Sequence, residues 1–266
     1  MIVKFPKQLR TFPRNAYPES DGKPMAETDQ HRDVMVQLIA MLKMWYEQES
    51  HVYVSGDLLL FYEEGNKRRH LAPDVFVVHG VEDGFRPNYL MWEEGKGPDV
   101  VFEITSKSTR SEDTKRKFAL YQDVLQVKEY YLFDPEEDYL DPPFQGYRLR
   151  AGKYQQIRFK DGRLPSQQLK LHIERDGKYL RLWNPETGQW IPMEKELLKD
   201  AREELNVERD RTDLERERAE AERERAETER ERAEVAEKEV ARLWQLIAAK
   251  ANSHKNVNGN GAKPDA

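Results

Sequence analysis

Two short apolar runs, each containing an acidic residue, constrain the fold of this chain most strongly. The run Leu71–Val78 contains Asp74 directly after a proline, and the run Pro98–Thr105 contains Glu103 between Phe and Ile. Runs of this length and composition, bounded by Gly and Pro, are typical of strands buried on both faces of a sheet. An ionised carboxylate in such a strand is costly unless it is paired or bound to a metal ion. We therefore expect the two acids to lie on neighbouring strands and to share one divalent cation.

The residues after the second run predict how the sheet continues. A charged helix is expected from about Ser111 to Val124, and a further strand from Lys128 to Asp134. The order strand, helix, strand implies a right-handed crossover and a parallel pair of strands. The fold class is therefore α/β, with a mixed sheet flanked by helices.

The rest of the front half should extend this sheet. A helix capped by Thr28 or Asp29 should pack on it, because apolar residues recur at three- and four-residue spacing. These residues are Val34, Leu38, Met41, Leu42 and Trp45. Alternating residues on either side of a Ser-Gly-Asp turn predict a hairpin within His51–Tyr62. Short alternating segments between Tyr139 and Pro192 predict added antiparallel strands.

The C-terminal part has a different character. The chain is 35% charged, and this charge is concentrated in a seven-residue repeat, typical of a long helix, between Glu194 and Lys250. The repeat aligns Ala219, Ala226, Ala233 and Val240 in one narrow seam, and because the seam is mostly alanine we expect association through it to be weak. A more apolar end, Leu243–Ile247, provides a contact for a second copy or another partner.

Four regions follow from these patterns. They are an irregular N-terminal lead-in (1–25), an α/β domain (26–192), a long charged helix that is a candidate coiled coil (193–250) and a disordered tail (251–266).

Composition excludes several classes of site. The chain has no cysteine, so disulfides, thiolate zinc sites and a cysteine nucleophile are all excluded. No apolar run approaches the roughly 20 residues needed to span a bilayer, so we expect no membrane partner and a cytoplasmic location. Residues 1–193 hold 28 basic and 30 acidic residues, which is not the broad positive face typical of nucleic-acid binders. The densest basic cluster, Lys67–His70, is either solvated surface or a phosphate contact.

The acids and nearby lysines suggest hydrolysis of a phosphodiester. This reaction needs an activated water and charge neutralisation at the phosphate, and a carboxylate-held magnesium ion can supply much of both. Asp74 and Glu103 are the expected metal ligands. A lysine would add positive charge or help to deprotonate the water, and the candidates are Lys107 and Lys117.

At these residues the chain resembles the PD-(D/E)XK, or restriction-endonuclease-like, nuclease superfamily. Pro73-Asp74 is similar to its first half-motif, and Glu103-Ile104-Thr105 lies where its acid-X-Lys half-motif is expected. More closely, residues 24–192 resemble the bacterial Uma-two (Uma2) family. That resemblance rests on the following ordered motifs: Ala72-Pro73-Asp74-Val75, Glu103-Ile104-Thr105-Ser106, Asp113, Lys117 and Tyr121 at steps of four, and Val127-Lys128-Glu129-Tyr130-Tyr131 before Asp134-Pro135.

The resemblance implies an endonuclease that cleaves DNA with Mg²⁺ or Mn²⁺ on a restriction-endonuclease-like core. Thr105 stands where the superfamily usually has lysine, and the superfamily is known for moving this lysine to a nearby helix. Lys117 is our first choice for that lysine and Lys107 the second. Glu27 is a further candidate, since the superfamily often takes an acid from its first helix. Glu27 and His31, four residues apart, are either surface residues or lie near the site.

Two alternatives stay open. The domain could keep the fold and act as an inactive binding module for nucleic acid or protein, with the C-terminal helix as scaffold; Thr105 and the near-neutral charge favour this function. The chain could instead be a structural coiled-coil protein with a passive head. A melting temperature that rises with Mg²⁺ or Mn²⁺ would favour the enzyme, and strong self-association through residues 194–250 would favour the structural protein.

Overall fold

A mixed six-stranded sheet forms the centre of the fold. The computed structural model describes residues 17–20, 28–105 and 112–257. Strands are numbered along the chain, and the sheet order is β1 (Val52–Ser55), β4 (Val75–His79), β6 (Val100–Ile104), β7 (Glu129–Phe133), β8 (Phe144–Arg150) and β9 (Lys153–Gln156). The β6–β7 pair is parallel and the other pairs are antiparallel, so the predicted parallel crossover is confirmed.

Helix α1 (Asp29–Trp45) covers one face of this sheet. Its buried residues Val34, Leu38 and Leu42 pack in one core with residues such as Val75 and Phe102. The Thr28 side chain accepts a hydrogen bond from the backbone N–H of His31, which caps the helix as the sequence predicts.

The opposite face is covered by a helix of unusual geometry. Residues 112–125, here called the site helix, consist of two π-helical segments, Glu112–Lys117 and Leu120–Leu125. Its buried Tyr121 packs in a second core with Phe76 and Val101 of the central sheet. The predicted C-terminal end, Val124, is one residue from the observed end at Leu125. The predicted start, Ser111, lies outside the described residues. The π turns are not predicted.

Two smaller sheets complete the domain. One contains β10 (Leu164–Pro165), β11 (His172–Asp176), β12 (Tyr179–Asn184) and β13 (Gln189–Trp190), all antiparallel. These strands, with β8 and β9, confirm the antiparallel segments predicted between Tyr139 and Pro192. The other contains β3 (His70–Leu71), β2 (Leu60–Phe61) and β5 (Tyr89–Leu90), followed by the short helix α2 (Met91–Glu94).

The predicted hairpin within His51–Tyr62 is wrong. Strand β1 pairs with β4 in the central sheet, whereas β2 pairs with β3 and β5 in the small sheet. The chain leaves the central sheet at Gly56, where a side-chain Cβ would lie 2.0 Å from the backbone oxygen of Asp74. Asp57 then donates its backbone N–H to the oxygen of Pro73 at 2.9 Å. The missing side chain therefore lets two loops meet, and the two strands separate instead of pairing.

The chain divides into two compact units, Met1–Leu197 and Leu198–Ala266. The last helix, α3, runs from Glu194 to Val257, past the predicted end at Lys250, and residues 258–266 of the predicted tail lie outside the described residues. Within the second unit every side chain described is exposed. No helix among the described residues is long and apolar enough to cross a membrane.

Candidate active site

The strand register places Asp74 opposite Glu103. In the antiparallel β4–β6 pair, Val75 lies opposite Phe102, so the next positions along each chain are Asp74 and Glu103. Asp74 is the residue just before β4, so it lies at the end of this strand pair. Asp74 Oδ2 accepts a hydrogen bond from the Ile104 N–H at 2.6 Å, which ties the first acid to the strand that carries the second. The structure therefore brings together the two acids that the sequence predicts as metal ligands.

Glu103 lies in a closed polar environment. Glu103 is only 1% exposed. Tyr121 donates its hydroxyl to Glu103 Oε1 at 2.6 Å, and the Lys117 ammonium lies 2.8 Å from Oε2. Burial raises the pKa of Glu103 well above its usual range, with Lys117 opposing this shift and the carboxylates of Asp74 and Asp113 adding to it. A buried carboxyl with a raised pKa beside a second acid is a common feature of functional sites.

The site helix supplies the residues around Glu103. Asp113, Lys117 and Tyr121 are four residues apart, and Lys117 Nζ lies 3.1 Å from Asp113 Oδ1 as well as contacting Glu103. In an α-helix, residues four apart drift around the axis by only about 40° per step, so all three can face the sheet.

Lys117 remains an ammonium in this environment. Burial alone would lower its pKa, but the charges of Glu103, Asp113 and Asp74 outweigh burial and raise the pKa above its usual value. The buried side chain therefore carries a fixed positive charge between acids.

One further residue at the site is His31, whose role the sequence leaves open. It lies in the first turn of α1, is 8% exposed, and places Nε2 at 3.3 Å from Asp74 Oδ2. A sequence signal exists, because His31 precedes Val34 and Leu38 by three and seven residues and so continues the buried stripe of α1. The sequence does not show that His31 contacts Asp74, because this contact depends on how α1 packs on the sheet.

A cleft of about 420 Å³ opens beside Lys117. Its lining includes Arg116, Glu112, Asp57 and His70, so both signs of charge face the opening. Arg116 pairs with Glu112 on the site helix. His70 Nδ1 lies 2.7 Å from the Lys67 backbone oxygen, which can only accept, so Nδ1 donates. The cleft gives a substrate access to the lysine end of the site.

The other predicted positions have different outcomes. Lys107 and Glu27 lie outside the described residues. Thr105, in the place usually taken by lysine, is buried, and its hydroxyl has no hydrogen-bond partner among the residues described. Asp99 directly precedes β6, at the end of the strand away from Glu103. Lys96 and Lys128 each lie 2.7 Å from its carboxylate. These contacts pair the buried Asp99 carboxylate with two ammonium groups, which indicates a structural role.

The donor set fits a small hard cation. Among the described residues, no group of three or more His, Asp or Glu side chains forms a metal cage. Mg²⁺ does not require one, since it is often held by one or two carboxylates together with waters and substrate phosphates. Asp74 and Glu103 provide two neighbouring carboxylates, close enough that the charge of Asp74 helps to raise the pKa of Glu103, which matches this requirement.

Comparison with known proteins identifies the family. A family model described as "Uma2: Putative restriction endonuclease" matches residues 5–177. The chain belongs to the Uma2 family. The predicted resemblance and the restriction-endonuclease-like fold are thereby confirmed: the central mixed sheet between α1 and the site helix is that core. Membership supports a nuclease function in general terms.

Other comparisons add little to this. Among solved structures, this Uma2 protein is similar to a crystal structure described as "a putative nuclease belonging to DUF820" from Anabaena variabilis ATCC 29413. The two are 16% identical; the match covers 59% of this chain and 85% of the other, with a TM-score of 0.42. No curated protein matches the chain.

Proposed function

We propose that this Uma2 protein is a metal-dependent endonuclease that hydrolyses DNA phosphodiester bonds. The observation that supports this most strongly is the pair of neighbouring acids Asp74 and Glu103, with the Lys117 ammonium 2.8 Å from Glu103 Oε2. In the proposal both acids hold Mg²⁺ or Mn²⁺. When bound, such an ion supplies Lewis-acid stabilisation of the phosphate and a water of lowered pKa.

The protein groups around the acids have distinct roles in this proposal. Tyr121 orients Glu103 by donating its hydroxyl to Oε1. Lys117 lines the cleft and supplies a fixed positive charge for the phosphate or for the attacking water. Lys107 and Glu27 remain secondary candidates from the sequence.

DNA is the proposed substrate because of the charges near the cleft. Lys67, Arg68 and Arg69 are exposed in the loop before β3, and His70, which follows them, lines the cleft with Arg116. Cations placed this way could contact phosphates on either side of the scissile bond. The positive charge is confined to this cluster, which agrees with a domain that is nearly neutral overall.

We also propose that α3 pairs with α3 of a second copy. Every seventh residue from Leu198 to Ile247 is uncharged: Leu198, Leu205, Thr212, Ala219, Ala226, Ala233, Val240 and Ile247. The leucines, valine and isoleucine of this extended seam are about half exposed. A strict seven-residue repeat favours a left-handed supercoil of two helices. The alanines in the middle still predict a weak pair.

The charges beside the extended seam favour a parallel pair. Positions three after the seam residues are acidic in the middle heptads: Glu208, Glu215, Glu222 and Glu229. Positions four after them are basic: Arg202, Arg209, Arg216, Arg223 and Arg230. The two rows lie on opposite sides of the seam. In a parallel pair the acidic row of one helix meets the arginine row of the other, whereas an antiparallel pair would bring like charges together.

A second function is favoured by a specific observation. Both oxygens of Glu103 already have protein partners, and Thr105 brings no positive charge, which suits an inactive nuclease fold that only binds nucleic acid. Incubation of the purified protein with plasmid and with single-stranded DNA, across Mg²⁺, Mn²⁺, Ca²⁺ and EDTA, separates the two. The nuclease predicts cleavage with Mg²⁺ or Mn²⁺ and none with EDTA; retarded but intact DNA under every condition would favour the binding module and contradict the nuclease.

A further inference from the structure

We infer that His31 is a positioning residue for the Asp74 carboxylate, and that metal affinity at the site depends on it. The inference rests on the proposed function, because it concerns the same acid. It adds a residue from α1 to a site otherwise built from two strands and the site helix.

The imidazole is held firmly in place. The His31 backbone N–H donates to the Thr28 side chain at 3.2 Å, which fixes the first turn of α1. Three and seven residues further on, Val34 and Leu38 are buried in the core beneath the central sheet. His31 itself is almost completely buried. Few other rotamers are open to a side chain of this size in such a position.

His31 and the backbone approach the same oxygen of Asp74. Oδ2 accepts the Ile104 N–H at 2.6 Å and lies 3.3 Å from His31 Nε2. These contacts come from different elements, β6 and α1, so together they restrict rotation of the carboxylate about its Cα–Cβ and Cβ–Cγ bonds.

Restriction of this kind has a measurable consequence. Ligating carboxylates are themselves held by outer partners, and removal of such a partner typically weakens metal binding by about 10–100-fold. The Ile104 N–H cannot be removed by substitution of a side chain, so His31 is the partner that can be tested. A merely structural histidine would instead lower the melting temperature and leave the affinity of the folded protein unchanged.

The test is calorimetric titration of the full chain with MnCl₂. His31→Ala should weaken Mn²⁺ binding by about 10–100-fold, and His31→Gln, whose amide keeps a polar group beside Asp74, should recover part of this loss. Arg32→Ala is the matched control, because Arg32 is the next residue of α1 and its side chain is 64% exposed. This control should bind Mn²⁺ as the wild type does.

The outcomes separate the inference from the proposed function. If the wild type binds Mn²⁺, Asp74→Asn does not, and His31→Ala binds as the wild type does, the positioning role is refuted while the metal site stands. If both His31 variants lose affinity only in proportion to unfolded protein, measured by circular dichroism in the same samples, the role is structural and the inference fails. If the wild type binds no Mn²⁺, the proposed function itself fails.

Discussion

The Lys117 ammonium lies 2.8 Å from Glu103 Oε2 and 3.1 Å from Asp113 Oδ1, so one buried cation bridges a strand acid and a helix acid. An ionised Glu103 buried without this cation would be strongly unfavourable. The same contact means that a metal ion at Glu103 and the ammonium compete for one carboxylate.

The role of Lys117 is tested by Lys117→Gln. Loss of the ammonium should lower the cleavage rate by about 10²-fold or more, the usual contribution of a group that transfers a proton or stabilises developing charge. Mn²⁺ affinity should be unchanged or higher, because the competing cation is gone. Lys115→Gln removes an exposed lysine of the same helix and should change neither quantity. Wild-type cleavage by Lys117→Gln would exclude this lysine from the chemistry.

Gly56 is predicted to be required for the position of Asp74. An alanine Cβ there would lie 2.0 Å from the Asp74 backbone oxygen and 2.8 Å from Ile39 Cδ1, so the loop that carries Asp74 would have to move. Gly56→Ala should cost about 1–3 kcal/mol, which lowers the melting temperature by roughly 2–4 °C per kcal/mol, and should also weaken Mn²⁺ binding.

Gly97→Ala is the control for this overlap. Its Cβ would meet only the flexible end of the Met91 side chain, which can shift. This variant should therefore melt close to the wild type, as followed by circular dichroism. An equal effect of both substitutions would show that the tight contact at Gly56 has no special importance.

Asp99 should give stability a defined pH dependence. Burial would raise its pKa, but hydrogen bonds from His79, Lys128 and Lys96 outweigh burial and hold the pKa below its usual range. A carboxyl with a folded-state pKa below the unfolded value of about 3.9 stabilises the protein above that pH, and this stabilisation is lost as the pH falls further. Asp99→Asn should thus be less stable than wild type by roughly 2–3 kcal/mol at pH 7.

Unfolding measured at two pH values checks whether the stabilisation by Asp99 is lost as the pH falls. The difference in the free energy of unfolding between wild type and Asp99→Asn should have its full value at pH 7 and should decrease below about pH 4. Urea denaturation at pH 7 and pH 3 measures both values. A gap that is the same at the two pH values would show that the charge of Asp99 contributes no stability.

The sequence predicts much of the site because its residues lie at the ends of local patterns. The acids Asp74 and Glu103 each belong to one short apolar run, and Lys117 is in step with Asp113 on one helix. Long-range packing determines the rest. The pairing of β1 with β4 depends on the close approach at Gly56, and the contact of His31 with Asp74 depends on how α1 lies across the sheet. Neither relationship is present in any local stretch of residues.

The proposed pairing of α3 is tested with introduced cysteines, since the chain has none of its own. A parallel pair brings the two copies of Val240 opposite each other, and a disulfide needs Cβ atoms that approach to about 4 Å. Mild oxidation of Val240→Cys should therefore give a covalent dimer. In the control Ala241→Cys the thiol lies beside the extended seam and should give much less.

Crosslinking of Val240→Cys also distinguishes a parallel pair of helices from an antiparallel pair. Val240 is close to one end of the helix, so an antiparallel pair would place the two cysteines far apart. Equal crosslinking of both variants, or none in either, on a non-reducing gel would contradict a parallel pair through this seam.

The initial rate of plasmid cleavage in Mg²⁺ tests most directly whether Asp74 and Glu103 together hold the catalytic ion. Asp74→Asn and Glu103→Gln keep the size of each side chain, and Glu186→Ala removes an exposed carboxylate elsewhere. The account predicts cleavage by the wild type and Glu186→Ala, and a loss of at least about 10²-fold in folded samples of the other two. Wild-type rates in either Asp74→Asn or Glu103→Gln would contradict it.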